Sequence, residues 1–114
     1  MKYISDYSFE DGKMLSIYIS TNFAEVVFEQ WNGKQIKLYF EEYWRIKDKH
    51  SAGEVIGELL IKSSGETINE IIKDITDGGG STDEAIGLSS YSFVNSWGDR
   101  VLLEIVALNV RVEE

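Results

Sequence analysis

The sequence has no cysteine, no proline and a single histidine in 114 residues. Without cysteine there is no disulfide framework, no thiolate zinc site and no cysteine nucleophile. Without proline there is no cis-proline switch. One histidine excludes any chemistry that needs two. Long apolar runs are also missing. None approaches the roughly 20 residues of a membrane-spanning helix, and Met1-Lys2-Tyr3-Ile4-Ser5-Asp6 leads into no signal-peptide apolar stretch. The expectation is a cytoplasmic chain with no membrane partner.

Positive charge is scarce. Eleven Lys+Arg face 20 Asp+Glu, for a formal net charge of −9. The imbalance is uneven: residues 1–50 hold eight acids and seven bases, whereas residues 51–114 hold twelve acids and four bases. A nucleic-acid backbone would be repelled by such a chain and a basic protein partner attracted. What remains is ordinary globular composition, 43% hydrophobic and 12% aromatic, at a length that suits one domain over residues 1–114.

The pattern predicts an α+β fold, an antiparallel sheet of about six or seven strands built from hairpins with one helix packed on it. Asp11-Gly12 and Asn32-Gly33, flanked by alternating apolar residues, are hairpin signals. At the second, a three-residue loop of Trp31, Asn32 and Gly33 pairs Phe28 with Ile36 and Val26 with Leu38. A two-residue turn would put these partners on opposite faces. Residues 14–20 place Leu15, Ile17 and Ile19 on one face, and residues 41–49 extend the third strand with Trp44 and Ile46 as one apolar set. Residues 54–62 fit either helix or strand; Gly53 and Gly57 favour strand. Ile68, Ile71, Ile72 and Ile75 fall at helical spacing and define a helix over about 65–77, with Ser63 and Glu66 as a capping box and Gly78 as the stop. Residues 77–84 read as a flexible loop. Two strands close the chain; the one beginning at Val101 is apolar on both faces, as a central strand should be.

Catalytic and ligand signatures are weak. His50 beside Asp48 is read as an exposed loop histidine, Glu41-Glu42 as a solvated strand edge. The run Gly78-Gly79-Gly80-Ser81-Thr82-Asp83 has neither the repeats of a calcium-binding β-helix nor the lysine of a phosphate loop. The expectation is a non-enzyme with no catalytic residue, no metal and no cofactor. The strongest feature is an acidic helix face: Glu66, Glu70, Asp74 and Asp77 share a sector of about 80° opposite the isoleucines, followed by Asp83 and Glu84. Trp97 in the last turn is a candidate interface anchor. These seven residues form the candidate partner-binding set. Two other readings stand beside it: a ligand-binding protein or unrecognised enzyme with an aromatic pocket of Tyr39, Tyr43, Trp44 and Tyr91, and a homo-oligomer subunit.

The closing stretch Ser90-Tyr91-Ser92-Phe93-Val94-Asn95-Ser96-Trp97-Gly98-Asp99-Arg100-Val101-Leu102-Leu103-Glu104-Ile105-Val106-Ala107, after the hairpins and one helix, resembles small uncharacterised bacterial proteins, some of them similar to toxin-neutralising immunity proteins. The resemblance covers the C-terminal third and implies a cytosolic, non-enzymatic protein that blocks a cationic toxin by binding it.

Overall fold

The computed structural model describes residues 3–98 and 100–114, without the side chain of Glu84. A 3₁₀ turn (Ile4–Asp6) precedes β1 (Gly12–Ile19), β2 (Phe23–Glu29), β3 (Gln35–Asp48) and β4 (Val55–Lys62). Then come α1 (Glu66–Asp77), a second 3₁₀ turn (Thr82–Ala85), β5 (Ser89–Asn95) and β6 (Val101–Glu113). All six strands are antiparallel, and their order β1-β2-β3-β6-β5-β4 closes into a barrel with α1 outside. The α+β class, with six strands and one α-helix, is as expected; closure is the new element.

The β2–β3 hairpin has the expected register, with Phe28 opposite Ile36 and Val26 opposite Leu38. Gly33 sits at φ +83 in the left-handed region, and the Gln30 amide donates to the Lys34 carbonyl at 2.8 Å across the loop. The inward side chains of these strands meet those of β5 and β6 in one cluster, where Met14, Phe28, Phe40, Phe93, Leu103 and Ile105 have no measurable exposure. On β6, Leu103, Ile105 and Ala107 join that cluster, while Val106 faces outward beneath Ile68, Ile71 and Ile75 of α1. Both faces of this strand are covered, as its sequence predicts.

Bulges account for several departures. The β1 register shifts between Met14 and Ser16, so Met14 opposes Phe28 and Ile17 opposes Val26. The extra residue at Leu15 puts Met14, rather than Leu15, into the core. A second shift between Tyr43 and Arg45 separates Trp44, which is 41% exposed, from Ile46, which packs on the core. Asp11-Gly12 is no hairpin: Asp11 has φ +61 and β1 starts directly after it, with no strand among the described residues on its N-terminal side. Ser63 does not cap α1; the N-cap is Gly65, with no side-chain cap hydrogen bond. The stretch read as a flexible loop contains the second 3₁₀ turn, where Ser81 Oγ accepts from the Asp83 amide at 3.2 Å.

Closure is slender. Among the described residues, β1 meets β4 through two residue pairs, Gly12 with Ile56 and Lys13 with Val55. The segment before β1 fills the seam: Ile4 and Tyr7 pack on the core, and Phe9 is buried against Phe28 with ring centroids 4.9 Å apart. Tyr7 also donates its hydroxyl to Glu114 Oε1 at 2.8 Å. Desolvation, then this bond to the carboxylate, pushes the Tyr7 phenol up from 10.0 to about 12. A phenol raised in the folded state stabilises it fully below about pH 10 and loses that contribution as pH rises through about 12. The urea midpoint should therefore fall over this window, and less steeply in Tyr7→Phe. Superimposable curves would show that the Tyr7 contact contributes nothing.

Candidate interaction surface

The helix acids divide into two groups. Thr67, Ile68, Ile71 and Ile75 are the buried positions of α1. One side of that buried face borders the acidic sector, and there Glu70 and Asp74 meet cations of β3. Arg45 Nη1 lies 3.2 Å from Glu70 Oε2 and Arg45 Nη2 lies 2.8 Å from Asp74 Oδ2. Lys47 Nζ reaches the same Glu70 oxygen at 3.3 Å. Hydrogen bonding to Asp74 holds the guanidinium further above its ordinary value. Beneath them the buried Thr67 hydroxyl donates to Glu104 Oε1 and the buried Ser90 hydroxyl to Glu104 Oε2, each at 2.6 Å. Lys47 Nζ donates to Thr67 Oγ1 at 3.3 Å. This network fastens the helix to the barrel wall, and partly exposed pairs of this kind contribute about 0.2–1 kcal/mol each.

Glu66, Asp77 and Asp83 are exposed. Glu66 shares a shallow groove with Lys47, Lys49, Thr67, Val101 and Glu104. The side chain of Glu84 lies outside the described residues. Among the six candidates whose side chains are described, Glu70 and Asp74 are tied to the barrel, and Trp97 belongs to the β5–β6 turn.

The aromatic residues of the ligand-binding reading are scattered. Tyr91 is buried in the barrel with its ring 5.1 Å from that of Phe40. Tyr43 donates its hydroxyl to the Ser20 carbonyl at 2.7 Å, and Trp44 stands on the β3 bulge. Tyr39 lies on the outer wall under the Arg111 guanidinium, 4.9 Å from the ring centre. Asp48, which would orient His50 in a catalytic pair, accepts instead from the Ser51 hydroxyl at 2.6 Å and the Ser51 amide at 3.0 Å.

The β5–β6 turn presents the most exposed large hydrophobic residue among those described. Trp97 is 87% accessible. Its turn is braced: the Asn95 amide donates to the Arg100 carbonyl at 2.9 Å, the Gly98 amide to the Asn95 carbonyl at 2.9 Å, and the Arg100 amide to Asn95 Oδ1 at 3.3 Å. Gly98 supplies the positive φ, +76, that the reversal requires. A groove of about 480 Å³ runs on one side, lined by residues 7–10, Gly57, Glu58, Leu59 and residues 95–98. On the other side a groove of about 340 Å³ is lined by Glu54, Val55, Trp97, Arg100 and Leu102 among others. Glu10, Glu54 and Glu58 are all exposed, and none of them pairs with another described side chain.

The sequence flags Trp97 but not these three glutamates. They come from the segment before β1, the loop before β4 and β4 itself: the β4–β5 pairing, with Ile56 opposite Asn95, sets Glu54 and Glu58 beside the β5–β6 turn, and the β1–β4 closure brings in Glu10. No pattern within a short window could have revealed them. Among the described residues no helix is long and apolar enough to cross a membrane, and no His, Cys, Asp or Glu group has the arrangement of a metal site. Comparison with known proteins found no matching family model, no matching curated protein and no matching solved structure.

Proposed function

We propose that this protein is a non-enzymatic interaction module that docks on a basic protein, in its sharpest form an immunity-type inhibitor of a cationic toxin. The observation that carries the reading is Trp97, 87% exposed on a braced turn between two grooves bordered by Glu10, Glu54 and Glu58, whose carboxylates pair with no other described side chain. An exposed tryptophan on a rigid support is a favoured interface anchor, and a rim of one charge sign selects and steers an oppositely charged partner. Two facts support it further. The barrel interior is filled by side chains such as Phe28, Phe40 and Phe93, and the chain as a whole carries a net charge of −9.

The test is affinity capture from the native cell on the immobilised protein, followed by association kinetics with each purified captured protein. The expected partner has a net positive charge, and its association rate falls steeply as salt is raised. Capture of only neutral or acidic proteins, or a rate indifferent to salt, would overturn the proposal.

A further inference from the structure

Resting on that reading, the geometry points to the place and the chemistry of contact: the two grooves beside Trp97 take a cationic, extended segment of the partner, with an arginine or lysine side chain lying on the Trp97 indole between Glu10 and Glu58. Three observations converge here. The turn that carries the indole is braced by backbone hydrogen bonds, and Trp97 is 87% accessible. The grooves on its two sides share Asn95, Ser96 and Trp97 as a common ridge, which suits a chain that crosses the ridge and places successive side chains in both. Around this ridge stand Glu10, Glu54 and Glu58, none paired with another described side chain, against Arg100 as the one cation among the described residues lining either groove.

Indole faces attract guanidinium and ammonium groups through the ring quadrupole. Flanking carboxylates add charge-assisted hydrogen bonds and suit the bidentate fork of arginine. Val55, 46% exposed and lining the smaller groove with Trp97, extends the apolar area there. The result is an apolar anchor with an acidic rim, the usual arrangement of an interface hot spot. The helix face is the weaker competitor, because Arg45 and Lys47 already neutralise Glu70 and Asp74 there.

The probe is a hexa-arginine peptide titrated at low salt into the ¹⁵N-labelled protein. Amide shifts are expected at Glu10, Gly57, Glu58, Ser96 and Gly98 and at the Trp97 indole N–H, with Asp74 and Asp77 unmoved. Trp97→Ala should weaken binding about tenfold or more, and Glu10→Gln with Glu58→Gln should weaken it and flatten its salt dependence. Trp31→Ala, which removes a tryptophan 68% exposed on a different turn, should change nothing. Shifts centred on Asp74 and Asp77, or equal effects of the two tryptophan substitutions, would overturn this site while leaving a basic partner in place. Absence of binding anywhere on the protein would likewise overturn this site, and affinity capture then decides separately whether a basic partner exists.

Discussion

Replacing Phe93 with alanine is expected to cost about 3–5 kcal/mol of folding stability, the usual range for emptying a buried aromatic site. Phe93 has no measurable exposure and sits where four rings meet. Its centroid lies 5.9 Å from Phe9, 6.4 Å from Phe28 and 6.5 Å from Phe40, so one ring is shared by the segment before β1 and by β2, β3 and β5. The neighbours cannot collapse into the space, because each is held by a different part of the barrel wall. Against a total stability on the order of 5–15 kcal/mol, such a loss leaves a marginal fold. Urea denaturation of the purified variant measures it, and a loss below about 1 kcal/mol would show that the ring cluster is not the centre of the core. Trp97, four residues further along the chain, gives the contrast. At 87% exposure its replacement by alanine should change stability by no more than about 0.5 kcal/mol.

Gly12→Ala is expected to cost about 3 kcal/mol by a different route. A Cβ at position 12 would overlap the Phe28 ring and come within 2.8 Å of the Glu29 carbonyl oxygen. The ring cannot swing away, since it is fully buried and packed against Phe9 and Phe93. Overpacking of a filled core typically costs about 1–3 kcal/mol, and here it falls on one of the two residue pairs that close the barrel. Amide exchange should rise first at Asp11, Met14 and Gly53, whose hydrogen bonds to the Ile56 carbonyl, the Glu54 carbonyl and the Met14 carbonyl join β1 to β4 and the loop before it. Phe28→Leu, which shortens the clashing ring, should offset part of the cost in a double-mutant cycle. Strict additivity of the two substitutions would refute the steric explanation.

Much of the architecture is legible along the chain. The Asn32-Gly33 signal and the alternation on either side define the β2–β3 register, because only one loop length places Val26, Phe28, Ile36 and Leu38 on a common face. Four isoleucines at helical spacing mark α1, and Gly78 stands at its end. These are local effects, encoded within a dozen residues. The bulges at Leu15 and Trp44 are not legible, since neither carries a glycine or any other marker and each shifts the inward face by one residue. The acidic sector is legible as a pattern but its use is not. Whether Glu70 and Asp74 face solvent or cations depends on Arg45 and Lys47, more than 20 residues earlier in the chain.

The sequence by itself determined the α+β class, the helix, the strand pairing across the tight hairpin and the net charge, because turn chemistry, periodicity and composition act at short range. Tertiary structure alone decided that the sheet closes, which acids remain unpaired, and that Glu10, Glu54 and Glu58 stand beside Trp97. Those outcomes rest on contacts between segments distant in sequence. The β4–β5 ladder, which joins Glu58 to Val94 more than 30 residues along the chain, places Glu54 and Glu58, and two residue pairs between β1 and β4 add Glu10; no local preference encodes either.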